Sequence, residues 1–234
     1  MSTALSVLLL GFVLGVRHAT DADHVVAVSA IASRERSVRS ALGIGASWGV
    51  GHALTVLLVG GAIILFQIVI PPRLGLGMEF SVAIMLIVLG FLNISGTFRD
   101  IRGIAGRHAH DAAPAPVAPV SPSPSGALRS LGVGVVHGLA GSAAVALLVL
   151  ASIRDSNVAL AYLGVFGAGT IVGMVTLTSA LALPMAYAAQ RFDRLHARLA
   201  RGFGLLSVAL GLVLAYRIGF VDGLFGAAPS WSPE

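Results

Sequence analysis

Apolar residues run along this chain in blocks far longer than the core elements of a soluble domain. Residues 41–70, 80–98, 130–153 and 156–190 contain no Asp, Glu, Lys or Arg. Each block is near or beyond the ~20 residues that carry a helix across a hydrocarbon core. Two more apolar blocks, 3–32 and 200–221, hold charged residues within them. The pattern predicts an all-α integral membrane protein of six transmembrane helices, at about 3–32, 41–69, 79–98, 130–153, 157–190 and 200–221. The first block does not read as a cleaved signal peptide. It lacks a basic start and passes into Arg17, His18, Asp21, Asp23 and His24, not into a run of small residues.

Between the third and fourth blocks, residues 99–128 are rich in Pro, Ala and Ser, a composition that builds no core and predicts a flexible linker. The linker separates two halves, 1–98 and 129–222, of three spans each, and residues 223–234 are expected to form a loose tail. The halves share short motifs in the same order. GVRH from Gly15 matches GVVH from Gly134, GVGHALTV from Gly49 matches GAGTIVGM from Gly167, and LGFLN from Leu89 matches LGLVL from Leu210. Three spans is an odd number, so the second copy is inverted relative to the first. Inverted repeats of this kind are common in transporters, whose sites lie near mid-membrane at the repeat interface.

Composition and charge sharpen this picture. Only 11% of residues are charged, about half the soluble average. All 15 basic residues are Arg, and their positions matter more than the net charge of +5. Eleven flank the connections after spans 1, 3 and 5, whereas Arg73 and Arg154 alone follow spans 2 and 4. The positive-inside rule then places the 99–128 linker in the cytoplasm and both termini outside. The basic excess is thus a matter of topology and predicts no nucleic-acid partner. The chain has no cysteine, which excludes thiol redox chemistry and Cys-based metal sites.

Candidate chemistry centres on RHATDADHV, residues 17–25. An Asp at the middle of a membrane helix costs roughly 2.5–3.5 kcal/mol on insertion scales, so two of them with two His predict a function. On an unbroken helix His18, Asp21 and His24 form one stripe that offers two imidazoles and a carboxylate to a small ion. Asp23 then faces away. It either orients a ligand imidazole, or the helix opens locally to line a cavity. His52 is a lone His in span 2, expected to act as a ligand or beside one. His137, the repeat partner of His18, is expected in a structural or gating role or as a ligand. His108 and His110 fall in the linker, and His196 among basic residues is expected to be solvated. Nitrogen and oxygen donors without thiolate suit divalent Ni, Co, Cu or Zn.

These motifs resemble a known family. RHATDADHV is similar to the H-x-x-x-x-D-H signature of the nickel/cobalt transporter (NiCoT) family, with His18, Asp23 and His24 in the motif and Arg17 before it. GHALTV around His52 resembles that family's second motif. The segment HGLAGSAA at His137 is similar to the short, six-helix, urease-accessory-type (UreH-like) branch. The longer members usually have eight spans, and this chain lacks a counterpart of their first. The resemblance implies a metal permease that works without an ATPase partner, and it makes His18, Asp23, His24 and His52, with Asp21 inside the match, the metal-handling residues. Arg17 and His137 are the lesser candidates.

The expected function is a secondary transporter of divalent metal, Ni²⁺ first and Co²⁺ second, in the cytoplasmic membrane. It is expected to hold no permanent cofactor; the metal is its cargo. A metal exporter of the same fold and an anion or sulfite exporter are the alternatives. An intramembrane metalloprotease would need a Glu beside paired His, as in H-E-x-x-H, and the chain has none.

Overall fold

The structure is a computed structural model that describes residues 2–33, 37–95, 124–153 and 155–231. Every regular element among them is helical. In order these are α1 (Ser2–His18), α2 (Ala22–Ala32), α3 (Val38–Thr55), a π-helical turn (Val56–Gly60), α4 (Gly61–Phe66), α5 (Pro72–Ser95), α6 (Pro124–Ser152), α7 (Ser156–Arg191), α8 (Asp193–Tyr216) and a second π-helical turn (Arg217–Val221).

Four stretches are long and apolar enough to cross a membrane: Val38–Phe66, Pro72–Ser95, Ser156–Arg191 and Arg194–Val221. A fifth is the broken pair Leu5–His18 and Ala22–Ala32, bent by 53°. Large apolar side chains face outward along these helices, among them Leu9 and Val13 on α1, Phe91 on α5 and Leu212 on α8. In water such surfaces would be a liability; against lipid they are the solvated face. The chain is an all-α, multi-pass membrane protein.

The first predicted span, 3–32, is therefore not one straight helix. The backbone tightens after Gly15, with Thr20 N bonded to Arg17 O at 2.8 Å and Asp21 N to His18 O at 3.1 Å. The Thr20 hydroxyl donates to the same Arg17 carbonyl at 2.6 Å. These shorter loops satisfy the last carbonyls of α1 and stop it. Asp21 then takes extended geometry (φ −61, ψ 149) and starts α2, with Asp23 in its first turn. A carboxylate there lies at the positive end of the new helix, which offsets part of its cost in a membrane.

Other bounds also differ from expectation, and the sixth span, expected from 200, begins at Asp193. The third span begins at Pro72 rather than 79, because proline fits the first helical position, so Glu79 lies inside the helix. His196, expected in water, is buried on α8. Most of the predicted linker, with His108 and His110, lies outside the described residues, and α6 already begins at Pro124.

Helices cross where side chains are small. Helix α1 packs on α7, α3 on both α6 and α7, and α5 on α8. At the α1–α7 crossing a Cβ on Gly15 would collide with the Phe166 carbonyl, and one on Gly169 with that of Phe12. At α3–α6, a Cβ on Gly134 would collide with the Trp48 carbonyl, and one on Gly51 with that of Leu131. Such close backbone approach is the usual packing device between membrane helices. A buried polar knot ties three helices: Asn93 Nδ2 on α5 donates to Ala30 O (2.8 Å) on α2 and Ala200 O (3.1 Å) on α8.

Candidate metal centre

Four imidazoles converge where α1 breaks. His18 ends α1, His24 lies in the first turn of α2, His52 lies on α3 one turn after Trp48, and His137 lies on α6. Ring centroids stand 4.7 Å apart for His18 and His24, 5.1 Å for His18 and His52, 5.3 Å for His24 and His52, and 3.9 Å for His24 and His137. His24, His52 and His137 are 1%, 0% and 2% exposed. Trp48 backs the cluster, its ring 6.4 Å from His24 and 5.8 Å from His137.

Carboxylates fix how three of these rings present themselves. Asp21 Oδ2 lies 2.8 Å from His18 Nδ1. Asp23 Oδ1 lies 3.1 Å from His24 Nδ1, and Asp23 Oδ2 lies 2.9 Å from His137 Nε2. An ionised carboxylate only accepts hydrogen bonds, so each facing nitrogen carries the proton and the other nitrogen carries the lone pair. Those other nitrogens, His18 Nε2, His24 Nε2 and His137 Nδ1, are buried and have no hydrogen-bond partner; the same holds for both nitrogens of His52. Buried polar atoms are ordinarily satisfied. Several unsatisfied imidazole nitrogens gathered in one place, with carboxylates behind them, form the donor arrangement that divalent metal sites use.

Two sets of three residues bring ligand atoms within 4.8 Å of one another: His18, His24 and His52, and Asp23, His24 and His137. His24 belongs to both. The stripe of His18, Asp21 and His24 expected on a continuous helix is replaced, because the 53° break turns His24 toward α3 and α6. His52 takes the third place in the first set. Asp21 is 52% exposed and reaches only the outward nitrogen of His18. Asp23 is neither remote nor confined to one role; it bridges His24 to His137 across helices α2 and α6. Arg17 is exposed and belongs to neither set.

His137 is the member that sequence reasoning left undecided, and the Gly-x-x-His repeat was the signal that pointed to it. Trp48 and Asn93 carried no signal of their own. Trp48 reads as an apolar residue of span 2, and Asn93 as the end of a repeat motif.

Comparisons with known proteins give two matches. The family model described as NicO, high-affinity nickel-transport protein, matches residues 4–116. A urease accessory protein UreH of Bacillus sp. (strain TB-90) is 36% identical over 223 residues, covering 94% of this chain and 95% of the relative. No solved structure matches.

Proposed function

Because this chain belongs to the nickel/cobalt transporter family, a transport family and not an enzyme family, we propose that it is a secondary permease for divalent metal, Ni²⁺ ahead of Co²⁺, working through the histidine cluster. The observation that carries this reading is the set of buried imidazole nitrogens without partners, behind three of which a carboxylate holds the proton away. Nitrogen donors favour Ni²⁺ over Co²⁺ in the usual order of divalent affinities. The first set, His18, His24 and His52, leaves coordination positions for water or for a ligand from the second set. Sharing His24 lets an ion pass from one set to the other without ever losing all its ligands.

The transporter would have six spans in two inverted halves, both termini outside the cytoplasmic membrane, and no ATPase partner. Helix α6, with 29 residues, is about 43 Å long at the α-helical rise, more than a hydrocarbon core needs. The inverted repeat finds support in matched crossings. A Cβ on Gly15 would meet Phe166 O and Thr170 N, and one on its repeat partner Gly134 would meet Trp48 O and His52 N. In the other helix pair, Gly90 faces Gly204 O and Val208 N, while Gly211 faces Ala83 O and Ile87 N. Each crossing thus reappears with the halves exchanged, as a two-fold axis in the membrane plane requires. The metal cluster lies between the halves, since His137 comes from the second and the other histidines from the first. Rocking of one half against the other would open it to each side in turn.

Proteoliposomes loaded with an indicator test the proposal, with Ni²⁺, Co²⁺, Zn²⁺ and Mn²⁺ compared in both directions. Saturable Ni²⁺ flux that exceeds Co²⁺ flux and is lost in His24→Ala is expected. Equal flux in the parent and in His24→Ala would overturn the assignment.

A further inference from the structure

The residues after α8 do not trail into solvent. Gly223 reverses the chain at φ +81, a conformation that other residues rarely adopt. Phe225 then packs edge-on against Phe80, with ring centroids 5.4 Å apart. Arg73 donates to Gly226 O at 3.2 Å, and Ser230 N donates to Asp222 O at 3.0 Å. At the end of the segment the Trp231 indole lies on Gly75, where any Cβ would collide with the ring, and its Nε1 donates to Glu79 Oε1 at 2.7 Å. Residues 222–231 therefore form a strap across the first turns of α5.

Beside the strap, with Ser230 and Trp231 in its wall, lies a partly open cavity of about 280 Å³. Its lining includes His18, Asp21 and Asp23 of the metal centre, and it also includes Glu79, Arg217 and Trp231. One water occupies about 30 Å³ in the liquid, so the space suits about nine, enough for a divalent ion with its first hydration shell. Asp222 lines it as well, paired at 4.0 Å with Arg217. Four carboxylates against one guanidinium make the interior attractive to cations and hostile to anions.

We propose that this strap is a gate at the cavity through which a hydrated divalent cation reaches the imidazoles, and that the Trp231–Glu79 hydrogen bond is its latch. The inference rests on the reading of the histidine cluster as the ion's destination. Glu79 is the natural release point. The carboxylate that holds Trp231 is also one that an arriving cation would attract, so the ion competes with the indole for the same group. The ring lies against a glycine, so the strap can lift without extracting a side chain from a packed hole. Glu79 acts here as a positioning residue for the strap.

The test uses the full chain, which has no cysteine of its own, with Ala140→Cys as a reporter in the cavity wall. The rate of modification by a charged thiol reagent is measured in detergent without metal. Trp231→Ala should raise that rate about tenfold, the factor that one charge-assisted hydrogen bond represents, and Glu79→Gln, whose amide oxygen still accepts from the indole, should raise it less. Trp231→Phe, which keeps a ring but no donor, should fall between the parent and Trp231→Ala. Ni²⁺ affinity by calorimetry should stay within about threefold of the parent in Trp231→Ala, because the strap holds no ligand. Unchanged modification rates in all three variants would show a static strap and overturn the proposal. So would a monodisperse Trp231→Ala protein that no longer binds Ni²⁺, since the strap would then belong to the binding site. The modification rate needs no metal. A failure of the metal assignment would instead show as a parent protein that binds no Ni²⁺.

Discussion

Asp23 Oδ2 and His137 Nε2 lie 2.9 Å apart although 114 positions separate the residues. The other oxygen of the same carboxylate accepts from His24, at 2.8 Å from its backbone nitrogen and 3.1 Å from its ring. One side chain thus sets the proton position on two imidazoles from different helices, α2 and α6.

Removing that carboxylate should disturb both rings at once. Asp23→Asn keeps the size but can present an N–H to a ring nitrogen, so the lone pairs no longer reliably face the cluster. Ni²⁺ affinity is expected to fall about 10–100-fold, the usual effect of losing a group that orients a metal-binding His. His137→Ala should also weaken binding. The double variant should lose less than the sum of the two single losses, because both act through one network. Calorimetry on monodisperse protein measures all four states, and strict additivity would show that Asp23 and His137 act independently.

His24 should matter most among the ligands, because it belongs to both sets. His24→Ala is expected to abolish measurable Ni²⁺ binding. His52→Ala and His18→Ala should each leave weak binding through His24 and the remaining imidazoles. If His24→Ala bound Ni²⁺ as well as His52→Ala does, the shared-ligand geometry would be wrong.

Protons should compete with the metal. Imidazole binds a metal only when neutral, and it ordinarily gains a proton near pH ~6.5. Ni²⁺ affinity is therefore expected to decrease as pH is lowered, with protons released on binding over the range in which it falls. Calorimetry in buffers of different ionisation enthalpy counts those protons. Affinity that does not change with pH would argue against imidazole ligands.

The matched helix crossings predict matched mutational costs. Gly15→Ala and Gly134→Ala each place a methyl group against a carbonyl of the facing helix. Each should destabilise the protein by about 1–3 kcal/mol, the range for overpacking. Gly164→Ala, where a Cβ would meet nothing within 4 Å, should be silent. Thermal unfolding in detergent compares them. A large drop for one partner of the repeat pair and none for the other would weaken the two-fold reading.

Topology has a direct check. Cysteines placed at Ser123 in the linker and at the exposed Ala227 near the C-terminus should lie on opposite sides of the membrane. With an impermeant thiol reagent on intact cells, Ala227→Cys should react and Ser123→Cys should not. The reverse result would invert the orientation.

The sequence by itself determined that the protein lives in a membrane, and it singled out the ionisable residues that the structure gathers. Both follow from local composition. Uncharged runs of about 20 residues or more have one stable solution in a bilayer, and ionisable residues within them demand a reason. The family relationship was legible for a similar cause, since His18, Asp23 and His24 sit within a few residues of one another. The tertiary structure alone decided how those residues point. A 53° break between α1 and α2 cannot be read from a periodicity that assumes a continuous helix. It turned the expected His18–Asp21–His24 stripe into a cluster in which Asp21 stands behind His18 and His52 takes its place. His137 joined through a crossing between α3 and α6, where Gly51 and Gly134 let two backbones touch. Such a contact depends on which helices are neighbours. The path of the last residues was equally hidden: a short tail rich in Gly, Ala, Pro and Ser reads as loose, and the Trp231–Glu79 hydrogen bond that holds it joins positions 152 apart. Local pattern fixes the solvent of each segment, whereas the partners of a buried polar atom are fixed by packing between segments distant in the chain.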